Sequence, residues 1–359
     1  MAKKKAMIAM SGGVDSSVAA YLMQQAGYDC VGGTMLLCNE ALLGKKDIPS
    51  PARDASLVAQ RLSMPFYAFH ECDAFCQKVV APFIASYEEG LTPNPCILCN
   101  KEIKFGLLLE KAISLGCEYI VTGHYARICQ DEKTGRFLLY KAPDENKDQS
   151  YFLAGLRQNQ LAHTLFPLGE LTKAEVRQIA LEQGFVTAQK KDSQDICFIP
   201  DGDYFSFMKR YTGKAYPQGE YLDLAGKVVG KHQNAASYTL GQRKGLGVAL
   251  GAPMYVCAKD MEHNTVTLGP EEELFATTLI AEDVNFLPFE ILEAPITVTA
   301  KARYRHKPQE AAVYPMEDGK IKVVFSTPQR ALTPGQAVVL YDGDLVVGSG
   351  TIKEVIKAG

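Results

Sequence analysis

The sequence predicts an α/β domain built on a parallel sheet, then a small, mostly β middle domain, then a C-terminal β-barrel. Three observations lead there. The chain is 359 residues long, enough for two or three domains with sizeable cores. Up to about Asp203, short apolar runs alternate with stretches of helical periodicity, the rhythm of parallel strands joined by helices. Beyond it that periodicity fades, and short Val-, Thr- and Tyr-rich runs appear between turn signals such as Asp318-Gly319, Pro334-Gly335 and Asp342-Gly343. The expected divisions are 1–203, 204–280 and 281–359, the last an all-β unit of roughly five to seven strands.

Taken in order, an apolar strand is expected over 6–10, a helix over 14–26 stopped by Gly27, and a second strand over 31–37. A helix over 52–62 and a strand over 66–69 repeat the unit. Further helices are expected over 75–89 and 101–115, each followed by glycine, then a strand over 119–122. Thr172-Lys173-Ala174-Glu175 has capping-box spacing and opens a helix that stops at Gly184. From 204 onward the expectation is strands alone, with the loop Gly241-Gln242-Arg243-Lys244-Gly245 in the middle domain.

Apolar residues make up 47% of the chain and charged residues 22%, the balance of a packed globular protein and not of a disordered one. The longest apolar runs, such as 6–10 and 30–38, fall short of the ~20 residues that cross a bilayer. Met1-Ala2-Lys3-Lys4-Lys5 lacks the apolar stretch and cleavage site of a signal peptide, so a cytoplasmic protein with no membrane partner is expected. With 38 basic and 41 acidic residues the net charge is −3, and any nucleic-acid binding has to come from a local patch. Ten cysteines in such a chain read as reduced thiols, open to catalysis, metal binding or burial.

Ser11-Gly12-Gly13-Val14-Asp15-Ser16-Ser17 lies between the first expected strand and the first expected helix. A glycine pair there lets main-chain amides point at an anion, and the helix N-terminus adds partial positive charge. The Walker pattern is absent because no Lys follows the glycines, and so is the GxGxxG spacing of dinucleotide folds. Serines and Asp15 supply the side chains instead. The string resembles the PP-loop of the N-type ATP pyrophosphatases, the adenine nucleotide alpha hydrolase-like fold, whose members split ATP to AMP and pyrophosphate while adenylating a carbonyl oxygen. Amide, guanidine and RNA-thiolating enzymes share that loop, so another feature must choose among them.

Cys96 and Cys99 lie three apart at the mouth of a helix, in Thr92-Pro93-Asn94-Pro95-Cys96-Ile97-Leu98-Cys99, where proline fixes the approach. Cys197 follows in Asp192-Ser193-Gln194-Asp195-Ile196-Cys197-Phe198. On spacing alone this pattern stays open between a redox pair, part of a metal site and burial. His70, Cys72 and Cys76 show no fourth ligand and are assigned to burial, and Cys30, Cys38, Cys117, Cys129 and Cys257 to packing.

SGGVDSS, TPNPCILCNKEIKF, TGHYAR, NKDQSYFL, KKDSQDICFIP and LGQRKGLG, with a C-terminal RYR and TPGQ, together resemble the tRNA-specific 2-thiouridylase family. The resemblance implies that ATP with Mg2+ activates C2 of the wobble uridine of tRNA. Sulfur delivered by a relay protein, and carried as a persulfide on Cys197, then replaces the oxygen. Cys99 matches the partner thiol that closes a transient disulfide with Cys197, and Cys96 stands where many members carry Asp. An alternative within the same chemistry is a [4Fe-4S] cluster on Cys96, Cys99 and Cys197. Outside it stand an amide or guanidine synthetase acting on a small molecule, and a nucleic-acid-binding protein with a vestigial nucleotide fold. The resemblance places ATP against Ala9, Met10, Ser11, Gly12, Gly13, Val14, Asp15, Ser16, Met35 and Gly123. It places tRNA against Asn94, Pro95, Cys96, His124, Lys147, Asp148, Gln149, Arg303, Tyr304, Arg305 and Gln336, and a monomer is expected. Residues 301–307 alternate cations with Tyr304, which suits one face of a strand to phosphates and a stacked base.

Overall fold

The computed structural model describes residues 3–38, 42, 51–190, 196–248 and 251–357. The chain divides into two compact units. One comprises Met1–Val79, Cys96–Phe198 and Gly343–Val347, the other Val80–Pro95, Ile199–Asp342 and Gly348–Gly359.

The first unit is built on β1 (Lys5–Ala9), β2 (Asp29–Leu36), β3 (Phe66–His70), β4 (Tyr119–Val121) and a short β7 (Thr164–Leu165), in the spatial order β3-β2-β1-β4-β7. The register pairs Ala6 with Cys30, Ile8 with Val121 and Leu36 with His70, every pair parallel. Helix α1 (Val14–Gln25) crosses from β1 to β2, burying Val14, Val18, Ala19 and Met23 against Ile8, Met10 and Val121. Gly27 ends this crossover with φ +86°, a conformation that a residue with a Cβ rarely adopts. The order reverses at β1, with β2 on one side and β4 on the other, so the loop after β1 opens at the topological switch point, where open α/β sheets bind ligands. The capping box is present: Thr172 N donates to Glu175 Oε2 at 2.7 Å and Glu175 N donates to Thr172 Oγ1 at 3.3 Å, opening the helix Lys173–Glu182.

Three features depart from the periodicity reading. The expected helices over 75–89 and 101–115 begin earlier, at Cys72 and Pro95, and each contains a π-helical stretch, Cys76–Val80 and Cys99–Leu107. An antiparallel hairpin, β5 (Ala126–Gln130) and β6 (Phe137–Lys141), follows β4 with only a short break. Residues from 204 on are not strands alone, because Tyr204–Thr212 is a helix whose first turn is capped by Asp203 Oδ1, accepting from Ser206 N at 2.9 Å.

The second unit holds a four-stranded sheet and a barrel. The sheet orders β10 (Tyr255–Asp260), β11 (Thr265–Gly269), β8 (Gly219–Leu222) and β9 (Val228–His232) over a core of Tyr221, Tyr238, Val256, Val266 and Leu268. The barrel runs β12 (Phe275–Phe286), β15 (Ile321–Arg330), β14 (Gln309–Pro315), β13 (Ile296–Lys301), β16 (Ala337–Asp342) and β17 (Leu345–Ile356), and closes through β12 against β17. No helix of the described residues is long and apolar enough to cross a membrane.

Candidate active site

The phosphate loop is formed by its own side chains. Gly12 takes φ +71°, Gly13 precedes α1, and Ser17 Oγ donates to Gly13 O at 2.9 Å. Ser11 N donates to Ser16 Oγ at 3.2 Å, and Met10 N donates to Gly33 O at 2.8 Å, fixing both arms of the turn. Ala9 and Met35 lie at the C-terminal ends of β1 and β2, beside this loop. Gly123 follows β4, and a Cβ there would sit 2.7 Å from Asp15 C and 2.8 Å from Ser16 N. The glycine is therefore needed for close approach to the first turn of α1.

The cation that the Walker spacing lacks arrives from far along the chain. Lys173 Nζ contacts Asp15 Oδ1 at 2.6 Å and Oδ2 at 2.8 Å, and Tyr125 Oη donates to Asp15 Oδ1 at 2.8 Å. Lys190 Nζ donates to Gly12 O at 2.9 Å and pairs with Asp54. Lys173, Lys190 and Tyr125 escape sequence reading because no local spacing relates them to the glycines.

The thiols differ in environment. Cys99 is buried, and burial pushes its thiol up to about 12. Cys96 and Cys197 are exposed. The Cys96 thiol is also raised, by surrounding protein atoms. Cys197 is brought down to about 7, first by a hydrogen bond from the Cys38 thiol, then, against desolvation, by the Lys104 ammonium and nearby main-chain amides. Lys104 favours the thiolate at Cys96, Cys99 and Cys197 alike. It lies five residues after Cys99 in the π-helical stretch, where i to i+5 winding stacks such residues on one face. Gln160 Nε2 pins this stretch by donating to Lys101 O at 2.8 Å and Phe105 O at 3.0 Å. Among the described residues no three thiols, imidazoles or carboxylates are grouped to hold a metal ion, Cys96, Cys99 and Cys197 included.

Family models match three stretches: "tRNA methyl transferase HUP domain" over 4–201, "tRNA methyl transferase PRC-barrel domain" over 205–270 and "Aminomethyltransferase beta-barrel domain" over 276–352. The tRNA-specific 2-thiouridylase MnmA of Clostridioides difficile (strain 630) is 48% identical over 355 residues, with 98% of each chain covered. That of Clostridium acetobutylicum is 49% identical over 355 residues, covering 98% of this chain and 99% of its own. This chain belongs to the tRNA-specific 2-thiouridylase family. Among solved structures, the U34-tRNA thiolase NcsA from Methanococcus maripaludis with its [4Fe-4S] cluster is 16% identical at a TM-score of 0.34, covering 58% of this chain and 66% of that one, too remote to bear on the site.

The positions that thiouridylase motifs assign to tRNA fall into distinct settings. His124 is half-buried between Phe105 and Phe166, and burial and Lys104 hold its imidazole well below its ordinary value. A neutral ring beside Lys104 Nζ at 3.5 Å accepts at Nε2, which leaves Nδ1 to donate to Thr122 Oγ1 at 2.7 Å. Asp148 is buried and accepts from Ala142 N and Ser150 N, each at 3.1 Å, while Gln149 Oε1 accepts from Tyr125 N at 3.0 Å. Both side chains are used within the fold, and Lys147 sits beside them in the same turn. In the second unit Gln336 Nε2 donates to Thr92 O at 2.7 Å and Pro93 O at 3.3 Å, and so holds the segment leading to Asn94 and Pro95.

The expectation of a strand face over 301–307 is corrected. β13 ends at Lys301, and Arg303, Tyr304 and Arg305 lie in a turn. Arg303 Nη2 donates to Leu240 O at 3.2 Å, Ala331 O at 2.9 Å and Thr333 Oγ1 at 2.5 Å, while Arg305 is exposed. Arg303→Ala is expected to lower the thermal midpoint, costing roughly 1–3 kcal/mol through the acceptors it strands. Arg305→Ala should leave the midpoint in place and flatten the salt dependence of tRNA binding, measured by filter retention across a salt series.

Other thiol expectations are also corrected. Cys30 and Cys117 are buried, but Cys129 is exposed, and Cys72 and Cys76 are half-buried. Cys38 is half-buried against Cys197. Residues 191–195, which carry Asp192-Ser193-Gln194-Asp195, lie outside the described residues.

Lys104→Met is expected to raise the midpoint of the Cys197 alkylation-rate profile above about 7 and to slow iodoacetamide labelling several-fold at neutral pH. An unchanged profile would remove Lys104 from the thiol site.

Proposed function

We propose that the chain carries out ATP-dependent 2-thiolation of the wobble uridine of tRNA, adenylating the C2 oxygen at the phosphate loop and delivering sulfur from Cys197. One observation carries this reading. A single compact unit holds both an anion-binding loop at the sheet's switch point and the cysteines, with Cys197 as the readily ionised thiol among them. Membership of the thiouridylase family supports the substrate.

ATP with Mg2+ is bound by Ala9 to Ser16, with Met35 and Gly123 beside them. Gly12 φ +71° turns the chain so that main-chain amides face a phosphate, and Asp15 and the two lysines hold the loop's charge balance. The amide-like C2 carbonyl resists attack until adenylation makes its oxygen a good leaving group. A sulfur relay protein loads Cys197 as a persulfide, whose terminal sulfur attacks C2 and expels AMP. Cys99 then attacks Cys197 Sγ, the S–S bond to the adduct breaks, and thiouridine leaves with a Cys99–Cys197 disulfide behind it. Cys96 handles a proton nearby. Asn94, Tyr304 and Arg305 in one unit, and His124 and Lys147 in the other, are tRNA contacts, while the buried Pro95 and the internally bonded Gln336, Arg303, Asp148 and Gln149 position the segments that carry them. The uridine is flipped out to expose C2. The enzyme acts as a monomer in the cytoplasm, where its thiols stay reduced.

The test is pyrophosphate release from ATP with and without tRNA, together with 2-thiouridine measured by nucleoside mass spectrometry. Release that requires tRNA, with 2-thiouridine formed, is expected. Release that requires ammonia or glutamine instead would assign the chain to amide synthesis.

A further inference from the structure

The loop Gly241-Gln242-Arg243-Lys244-Gly245 of the second unit takes no part in adenylation or sulfur transfer, yet its main chain is closely bonded. Gly241 N donates to Val256 O at 2.8 Å and Val256 N donates to Gln242 O at 3.0 Å, tying the loop to β10. Gln242 spans it, accepting from Thr239 N at 3.1 Å and donating to Lys244 O at 3.0 Å. From the core of the four-stranded sheet, Tyr221 Oη donates to Leu246 O at 2.8 Å. These bonds use main-chain groups and Gln242, and they leave Arg243 and Lys244 exposed. A cavity of about 260 Å3 lies beside Arg243, floored by Leu246, Gly247, Val248 and Met254.

The turn that carries Arg305 and Lys307 is fastened to the same loop. Arg303 Nη2 donates to Leu240 O at 3.2 Å and to Ala331 O at 2.9 Å. A Cβ on Gly241 would sit 2.7 Å from Ala331 Cβ, so the loop also touches the residue that follows β15. Arg243 is three residues from Leu240 and Arg305 two from Arg303, separations that a chain spans by at most about 11 Å and 7 Å. Among the described residues no carboxylate pairs with Arg243, Lys244, Arg305 or Lys307. Arg330 beside them is paired, its Nε donating to Glu271 Oε1 at 2.7 Å. Burial, and then the charges of Arg303, Arg330 and Lys301, hold the His306 imidazole below its ordinary value, as a positive potential at this turn requires. In a chain of net charge −3, four unpaired cations about one joint form the local patch that nucleic-acid binding needs.

We propose that Arg243 and Lys244 form a second phosphate-binding site for tRNA, continuous with Arg305 and Lys307 across the Arg303 joint. The inference rests on tRNA as the substrate. The guanidinium and the ammonium each take a backbone phosphate, and the apolar floor beside them takes the face of a ribose. Phosphate contacts carry no sequence information, so the loop sets affinity and register and not the choice of uridine. Its inward bonds hold it in place before RNA arrives, so little order is lost on binding.

Retention of tRNA by the full chain is measured on filters across a salt series. Arg243→Gln combined with Lys244→Gln, checked for an unchanged thermal midpoint, should lower the slope of log affinity against log salt by about 1.4–1.8, at roughly 0.7–0.9 per phosphate. In 2-thiouridine formation KM for tRNA should rise roughly tenfold with kcat unchanged. Arg243→Lys combined with Lys244→Arg keeps both charges and should keep the parent slope. Weaker binding on an unchanged slope overturns the proposal and assigns the loop a packing role. Unchanged binding overturns it in favour of a solvated loop. A parent chain that retains no tRNA at any salt overturns the tRNA reading itself, a separate outcome.

Discussion

Cys197→Ser is expected to abolish 2-thiouridine formation while tRNA-dependent pyrophosphate release continues. Removal of a covalent nucleophile costs on the order of 10³-fold or more. Adenylation needs the phosphate loop, the nucleotide and the flipped base but no sulfur, so the two steps separate. Cys99→Ser should behave differently. Its thiol is held near 12 by burial, so it is protonated at rest and acts only once the adduct is in place. Without it, sulfur or a tRNA adduct should accumulate on Cys197, visible in the intact mass of the protein. Cys96 is exposed, and its replacement by Ser should retain substantial activity, because a proton carrier near solvent is replaceable. Equal and complete loss in all three variants, accompanied by bound iron in the parent chain, would sink the persulfide scheme in favour of a cluster.

The parts of the site readable in the sequence are those whose chemistry is local. The phosphate loop depends on consecutive residues between a strand and a helix, and β1, α1 and β2 were legible from apolar spacing because their cores follow simple periods. The helix Tyr204–Thr212 was not, because its nine residues fall within a stretch otherwise read as strand. The π-helical winding from Cys99 was also hidden, since nothing in the run of residues distinguishes an i to i+5 turn from an ordinary one. Lys173 and Lys190 reach the phosphate loop, and Lys104 acts on Cys197, only through tertiary packing. Cys38, two residues beyond β2, reads as packing, yet it is only half-buried and it and Cys197 act on one another's charge.

Asp15→Ala is expected to eliminate tRNA-dependent pyrophosphate release while the fold persists. The buried face of α1, Val14, Val18, Ala19 and Met23, does not include Asp15, so the helix keeps its packing. The carboxylate instead gathers Lys173 and Tyr125 at the mouth of the loop, at 2.6 and 2.8 Å respectively. Removing it releases the ammonium from its fixed place and takes one charge from the site where pyrophosphate leaves. Preorganised groups of this kind contribute about 10²–10³-fold each to rate, because they are aligned before charge develops in the transition state. The loss should therefore fall on kcat and not on ATP affinity alone. Asp15→Asn separates shape from charge and should recover ATP binding without recovering the rate. Gly123→Ala supplies a geometric contrast, since its Cβ would press on Asp15 and Ser16 at under 3 Å and displace the loop without altering any charge. It should raise KM for ATP and lower kcat together. If Asp15→Ala released pyrophosphate at the parent rate, the loop at the switch point would not be the adenylating centre, whatever the behaviour of the thiols.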